Sequence, residues 1–191
     1  MFPEGVFANQ ADYNDRGWCF CEANVGNLVK NQRKVLDLGR FSGEEEDLRD
    51  LSVQCRAGRA PPMLPNEFAR LLQFKSFTSK KADLQKVNAI YEQAFRRRIG
   101  EAETLQFAGL AWGDEEAKAL SLVLFAATAL QRLFLAGNRF GDEGVAALAT
   151  CLREGAAPAL TYIELQANCL QPLKAAELQA LREARDGLVV E

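Results

Sequence analysis

An internal repeat in the second half of the chain constrains its fold more than any other feature of the sequence. The segment 105–115 aligns with 133–143 at an offset of 28 residues, and apolar positions, an Ala-Gly pair and a Gly-Asp-Glu triplet coincide. A third copy begins at Leu160, and its Asn168 lies 30 residues after Asn138. The shared pattern is L-x-x-L-x-L-x-x-N-x-L. Repeats of this length are typical of folds in which one supersecondary unit stacks on the next.

Each copy predicts a short strand, a turn and a returning helix. Leu133 and Leu135 alternate along the strand and therefore point into the space between strand and helix. Asn138 ends the strand, where its amide can bond turning backbone, and Asp142 is predicted to cap the helix. Apolar residues continue at helical spacing after the second and third copies: Val145, Leu148 and Leu152, then Leu173, Ala176, Leu178 and Leu181.

On these residues, the region 102–186 is similar to the leucine-rich repeat family, and its repeat length resembles that of the ribonuclease-inhibitor-like subclass. Leu110 departs from the family pattern because it stands where the first copy should have its asparagine. The resemblance implies an α/β solenoid of about three coils, with parallel strands on one side and helices on the other. The first coil is interpreted as degenerate and the last as a terminal cap.

The resemblance also implies a concave face formed by the residues between the inward leucines. Phe134 and Tyr162 are aromatic residues at positions that are expected to be solvent-exposed. Arg132 and Glu164 flank them, and this composition is typical of binding patches. The alternative is that the two rings only stack on each other across adjacent strands. The concave face is predicted to comprise Thr104, Gln106, Ala108, Arg132, Phe134, Ala136, Tyr162, Glu164 and Gln166.

The predicted function is therefore non-catalytic recognition of a protein partner of unknown identity, with weak self-association as a further possibility. Arg132, Phe134, Tyr162 and Glu164 are expected to make the main contacts. A face of only three coils is small, so a single chain is expected to bind weakly.

The region 41–100 is predicted to be a helical capping region that covers the open end of the repeats at 101–191. Ser42 and Glu45 form a capping-box pattern ahead of an apolar face with Leu48, Leu51 and Cys55. The segment 60–65 reads as a stiff connector because it contains three prolines. Helices are predicted over 66–74, with Phe68, Leu71 and Leu72 inward, and over 80–99, with Leu84, Val87, Tyr91, Ala94 and Phe95 in one stripe.

Residues 1–40 have a different character and are interpreted as a possible remnant of an upstream domain. They predict an exposed loop over 2–14, a helix over 18–30 and a short strand over 34–38. Trp18, Cys19 and Glu22 resemble the Trp-Cys-x-x-Glu segment of Toll/interleukin-receptor domains. By that resemblance Glu22 would serve NAD cleavage, and the chain would be the end of a larger sensor. The interpretation preferred to an NAD-cleaving role is that Trp18 and Phe20 pack locally and that the Glu22 carboxylate is solvated.

Composition excludes several classes of function. The chain has no histidine, which excludes Ser-His-Asp and Cys-His catalysis and histidine-based zinc sites. A formal net charge of −3 argues against nucleic-acid binding, and the Arg96-Arg97-Arg98 run is interpreted as a solvated helix end. The sequence lacks P-loop and dinucleotide-binding patterns, so no cofactor and no enzymatic activity are expected.

The five cysteines, Cys19, Cys21, Cys55, Cys151 and Cys169, are an odd and scattered set. The spacing of Cys19 and Cys21 does not suit a zinc site. These two cysteines are therefore predicted to be buried thiols, and no metal is expected. The most apolar stretch, 117–135, is interrupted by Gln131 and Arg132, so no membrane span is expected. A reduced, cytoplasmic protein is the expectation.

Overall fold

The structure is a computed structural model that describes residues 11–29, 41–44, 46–54, 59–169 and 175–191. The described residues form an α/β structure with seven α-helices and four short strands. The helices are α1 (Gly17–Val29), α2 (Leu48–Gln54), α3 (Pro65–Leu72), α4 (Lys80–Phe95), α5 (Asp114–Leu124), α6 (Asp142–Arg153) and α7 (Ala175–Glu183). The strands are β1 (Thr104–Gln106), β2 (Arg132–Phe134), β3 (Tyr162–Glu164) and β4 (Val189–Val190).

The four strands form one parallel sheet in the order β1-β2-β3-β4. Leu105 lies opposite Leu133, and Leu133 lies opposite Ile163, so the repeat offset in the sequence sets the register of the sheet. A helix follows each of the first three strands, which defines three strand-helix units: unit one (β1 and α5), unit two (β2 and α6) and unit three (β3 and α7).

The inward leucines share one interior, as predicted. Leu133, Leu135, Ile163 and Leu165 are all buried in a single core with the apolar residues of α5 and α6. Because successive strand residues point to opposite faces, this burial leaves the residues between them on the other face of the sheet.

The predicted role of Asn138 in bonding turn backbone is confirmed, and its reach extends beyond its own unit. Its Oδ1 accepts from the N–H of Leu110 (2.9 Å) and of Trp112 (3.2 Å) in unit one. Its Nδ2 donates to the carbonyls of Phe107 (2.8 Å) and Leu135 (2.9 Å). The asparagine of one unit therefore bonds the backbone of the unit before it.

Asn168 repeats this arrangement one unit later. Its Nδ2 donates to the carbonyls of Leu135 and Leu165, and its Oδ1 accepts from the N–H of Phe140 at 3.0 Å. Unit one has no earlier strand beside it among the described residues, so Leu110 has no such backbone to bond and is buried in the core instead. This arrangement accounts for the departure of Leu110 from the repeat pattern.

The prediction that Asp142 caps α6 is wrong, since Asp142 is the first helical residue and Gly141 occupies the cap position. The cap comes from the preceding unit. Asp114 Oδ1 accepts from the N–H of Gly141 at 2.7 Å and from that of Gly144 at 3.0 Å. A Cβ at Gly144 would lie only 2.6 Å from that oxygen, so the close approach of α5 requires glycine there.

The helical region centres on stacked aromatic rings. The ring centroids of Phe68 and Tyr91 are 3.8 Å apart, and those of Phe68 and Phe20 are 5.1 Å apart. The predicted stripe of α4 is confirmed at Val87, Tyr91 and Phe95, which are buried, while Leu84 and Ala94 are half-buried. The α-helical part ends at Phe95, and a π-helical turn over Arg96–Gly100 buries Ile99.

The start of α2 differs from the prediction. The helix begins at Leu48, and Asp47 Oδ1 accepts from the N–H of Asp50 at 2.7 Å, so Asp47 caps it rather than Ser42. Gly43 adopts a positive φ of 85°, which is incompatible with a helix starting there. Leu48 is 83% exposed and does not belong to an inward face. Glu45 and Cys55 lie outside the described residues.

Other boundaries shift by a few residues. Helix α3 ends at Leu72 rather than at 74, and Phe68 and Leu72 are buried as predicted. Helix α1 begins at Gly17, one residue before the predicted start, and a 3-10 turn covers Tyr13–Asp15, at the end of the predicted loop and one residue beyond it. The predicted strand over 34–38 and the loop over 2–10 lie outside the described residues.

Residues 59–64, which contain most of the predicted connector over 60–65, lead into α3 and contact both α4 and the segment between β1 and α5. The Tyr91 hydroxyl donates to the carbonyl of Met63 (2.7 Å), and the indole N–H of Trp112 donates to the carbonyl of Arg59 (2.5 Å). The Arg59 guanidinium lies 4.9 Å from the ring centroid of Phe107, and its desolvation lowers the pKa of Arg59 to about 10. Residues 59–64 therefore bridge α4 and the segment that leads into α5.

The end of the chain adds strand β4, which the three-coil prediction did not include. Arg185 lies between α7 and β4, and its guanidinium donates to the carbonyls of Ala156 (2.7 Å) and Ala157 in the turn after α6. Leu181 is buried as expected, but Ala176 is exposed because it lies on the outer side of α7. Leu173 is outside the described residues. No helix in the described ranges is long and apolar enough to cross a membrane.

Candidate functional site

The sheet has one face turned away from the core, here called the open sheet face. Its centre is formed by two rows of side chains that run across the strands. The first row contains Thr104, Arg132, Tyr162 and Val189, and the second contains Gln106, Phe134 and Glu164. The structure thus brings together six of the residues predicted for the concave face. Ala108, Ala136 and Gln166 follow the three strands.

An aromatic pair occupies the middle of the open sheet face. Phe134 on β2 and Tyr162 on β3 are diagonal neighbours, with ring centroids 5.6 Å apart and ring planes at 53°. Both side chains are half-buried. The tilted geometry is favourable for two aromatic rings, and it leaves part of each ring in contact with solvent.

The charges around the aromatic pair have opposite signs in the two rows. Arg132 is exposed in the first row and Glu164 is half-buried in the second. Neither side chain forms a salt bridge with any residue that the structure describes. Among the described residues, both charges are therefore without a charged partner.

The Tyr162 hydroxyl donates a hydrogen bond to the Glu191 carboxylate at 2.7 Å. This bond, with smaller contributions from desolvation and from the charges of Glu191 and Glu164, raises the pKa of Tyr162 to about 12. The hydroxyl is thus neutral over the physiological range and holds the Glu191 carboxylate beside the aromatic pair.

Sequence reasoning missed two residues of the open sheet face, Val189 and Glu191. Val189 is 51% exposed and lies directly opposite Tyr162 in the first row. The signal for them was present but weak. The Leu188-Val189-Val190 run follows Gly187 and lies 27 residues after the third copy of the strand, close to the spacing of the earlier repeats.

The N-terminal candidates lie apart from this face. Glu22 is exposed on α1, as predicted. The predicted local packing is not what the structure shows: Trp18 is 37% exposed with Lys86 Nζ 5.9 Å from its ring, and Phe20 stacks on Phe68 of α3.

Cys21 is buried and Cys19 half-buried. Burial, with a smaller effect of Glu22, raises the pKa of Cys21 to about 11, so its thiol is protonated at neutral pH.

In the described parts of the chain, no three cysteine, aspartate or glutamate side chains lie close enough to hold a metal ion. Arg96 pairs with Glu92 at 2.7 Å, and Arg97 and Arg98 are exposed on the π-helical turn.

In comparisons with known proteins, no protein-family model and no curated protein matches this chain.

Proposed function

We propose that the chain is a short leucine-rich-repeat solenoid of the ribonuclease-inhibitor-like type. Three features support this proposal: the repeat offsets of 28 and 30 residues, the parallel strands that follow them, and the asparagines that bond the backbone of the preceding unit. A single unit on its own would expose its apolar face. In the stack, that face is buried against the neighbouring unit, as expected for stacked repeats.

Its function is to recognise a protein partner through the open sheet face, without catalysis. The observation that carries this proposal is the half-buried pair Phe134 and Tyr162, flanked by the charges of Arg132 and Glu164. Aromatic side chains surrounded by polar groups are the usual energetic centre of a protein interface. The charges fix the orientation of the partner and discriminate against the wrong one.

The proposed location is the cytoplasm. The four cysteines that the structure describes, Cys19, Cys21, Cys151 and Cys169, are free thiols, which suits a reducing compartment.

The test is an affinity capture with the intact chain as bait in lysate of the source cell, followed by mass spectrometry. The double variant Phe134→Ser/Tyr162→Ser should capture about tenfold less of the partner than the wild type, because both aromatic side chains that anchor it are removed. The matched control is Leu122→Ser/Phe125→Ser, which removes two exposed apolar side chains from α5 and the residue after it. A partner that remains on the first variant while circular dichroism shows it folded contradicts the proposal.

Self-association is a separate outcome of the same face. Light scattering after size exclusion distinguishes a monomer from a dimer, and the Phe134→Ser/Tyr162→Ser variant shows which face a dimer uses. A dimer that persists in this variant uses another surface.

A further inference from the structure

We propose that the partner segment presents a lysine or arginine side chain, which lies against Phe134 and Tyr162 and pairs with the carboxylates of Glu164 and Glu191. This inference rests on the proposed function of the open sheet face and names the chemistry that the face selects.

The first observation is that two glutamates are direct neighbours on adjacent strands at one end of this face. The N–H of Glu191 donates to the carbonyl of Ile163 (3.0 Å), and the N–H of Leu165 donates to the Glu191 carbonyl (2.6 Å). Glu191 therefore extends the pairing of β4 with β3 and lies beside Glu164. Val190 points into the core, so Glu191 shares the open face with Glu164.

Like charges on neighbouring strands destabilise a sheet unless a cation lies between them. No lysine or arginine in the described ranges forms a salt bridge with Glu164 or Glu191. The polar group that bonds one of them is the neutral Tyr162 hydroxyl. A cation supplied by a partner would relieve this repulsion, whereas a carboxylate would increase it.

The second observation is the position of the aromatic pair relative to these carboxylates. Phe134 lies in the same row as Glu164, and Tyr162 bonds Glu191. An ammonium or guanidinium group placed between the two carboxylates would therefore be within reach of both ring faces. Aromatic faces attract cations through the ring quadrupole, and the methylene stem of lysine or arginine packs on the rings.

The position of Arg132 determines how the partner segment is oriented on the open sheet face. Arg132 is two residues before Phe134 on β2, a distance of about 7 Å along the strand. The first row is thus positive and the second row negative, so the cation of the partner belongs over the second row. Val189 borders the first row and is available for an apolar group of the same segment.

The experiment is a random-peptide display selection against the full chain, with affinities of the selected peptides measured by fluorescence polarisation. We expect the selected peptides to share a lysine or arginine. Their affinity should fall about tenfold or more in Glu164→Gln/Glu191→Gln, because the charge partners are removed while the shape is kept. The matched control is Glu46→Gln/Glu154→Gln, which changes the net charge equally at two exposed positions elsewhere.

The outcomes separate this inference from the proposed function. Peptides that need Phe134 and Tyr162 but share no cation, or that bind Glu164→Gln/Glu191→Gln unchanged, overturn the inference and leave the proposed function standing. An equal loss in the control variant shows attraction to the overall charge and also overturns it. A selection that yields no peptide dependent on Phe134 and Tyr162 overturns both.

Discussion

In the repeat half of the molecule, residues 102–191, polar side chains join one unit to the next, whereas in the helical half, residues 11–100, stacked aromatic rings join one helix to the next. Asn138 bonds four backbone groups in two units, and Asn168 repeats the arrangement. Phe68 instead lies between Phe20 and Tyr91, and this contact occurs once.

This difference explains why the sequence predicts the contacts between neighbouring elements better in the repeat half than in the helical half. A polar contact that recurs at each unit leaves a periodic mark in the sequence, since the same residue type is needed every 28 or 30 residues. An aromatic stack between helices far apart in the chain needs only volume and apolarity, which many residues supply. Three predictions test this comparison.

The largest expected effect is that of Phe68→Ala in the helical half. The ring is buried between Phe20 and Tyr91, so its removal leaves a cavity and should reduce the free energy of unfolding by about 3–5 kcal/mol. Urea denaturation followed by circular dichroism measures the loss. Phe74→Ala is the control, since Phe74 follows the same helix but is exposed, and it should change stability by less than about 0.5 kcal/mol. Equal losses in the two variants would mean that the aromatic stack does not stabilise the helical half.

Asn138→Ala tests the repeat half. Asn138 is 4% exposed, and its loss leaves buried backbone groups of Leu110, Trp112 and Phe107 without this partner. We expect a loss of about 2–4 kcal/mol and faster hydrogen exchange at the amides of Leu110 and Trp112. Asn168→Ala is the matched variant one unit later. It makes three such bonds from a half-buried position and should cost about 1–2 kcal/mol. A larger loss for Asn168→Ala than for Asn138→Ala would contradict this account.

The smallest effect concerns pH and the thiol of Cys21. The pKa of Cys21 is raised from 9.0 to about 11 in the folded chain, so its contribution to stability is present below about pH 9 and is lost as pH rises through 11. Between about pH 8 and pH 10.5 the wild type should lose about 1–2 kcal/mol more than Cys21→Ala, which has no thiol to ionise. Urea denaturation at both pH values measures the difference. Identical pH dependence in the two proteins would show that this thiol titrates normally.

The open sheet face was partly predictable. The sequence predicts one shared face for Arg132, Phe134, Tyr162 and Glu164. Alternation along a strand determines the face of the sheet on which a residue lies, and the constant repeat offset determines its row across the strands. Glu191 could not be placed in the same way. Strand β4 is only two residues long, so its pairing with β3 is evident only in the structure.

The cap of α6 shows the same limit at a helix end. The Gly141-Asp142 sequence suggested a local cap, since an aspartate at a helix start usually bonds its own first turn. The structure uses Asp114 from unit one instead, because α5 and α6 approach closely at Gly144. A sequence-based cap rule considers one helix at a time and does not include a neighbouring unit.

The sequence by itself determined which residues of β2, β3, α4 and α6 face the interior, because that choice follows from a period of about two or 3.6 residues along one element. Only the tertiary structure decided which unit each polar side chain serves: Asn138 for the turn of unit one, Asp114 for α6, and Tyr162 for Glu191. The physical reason is distance. These bonds span from 26 to 31 residues of sequence but form only when neighbouring strands lie about 5 Å apart in a particular register.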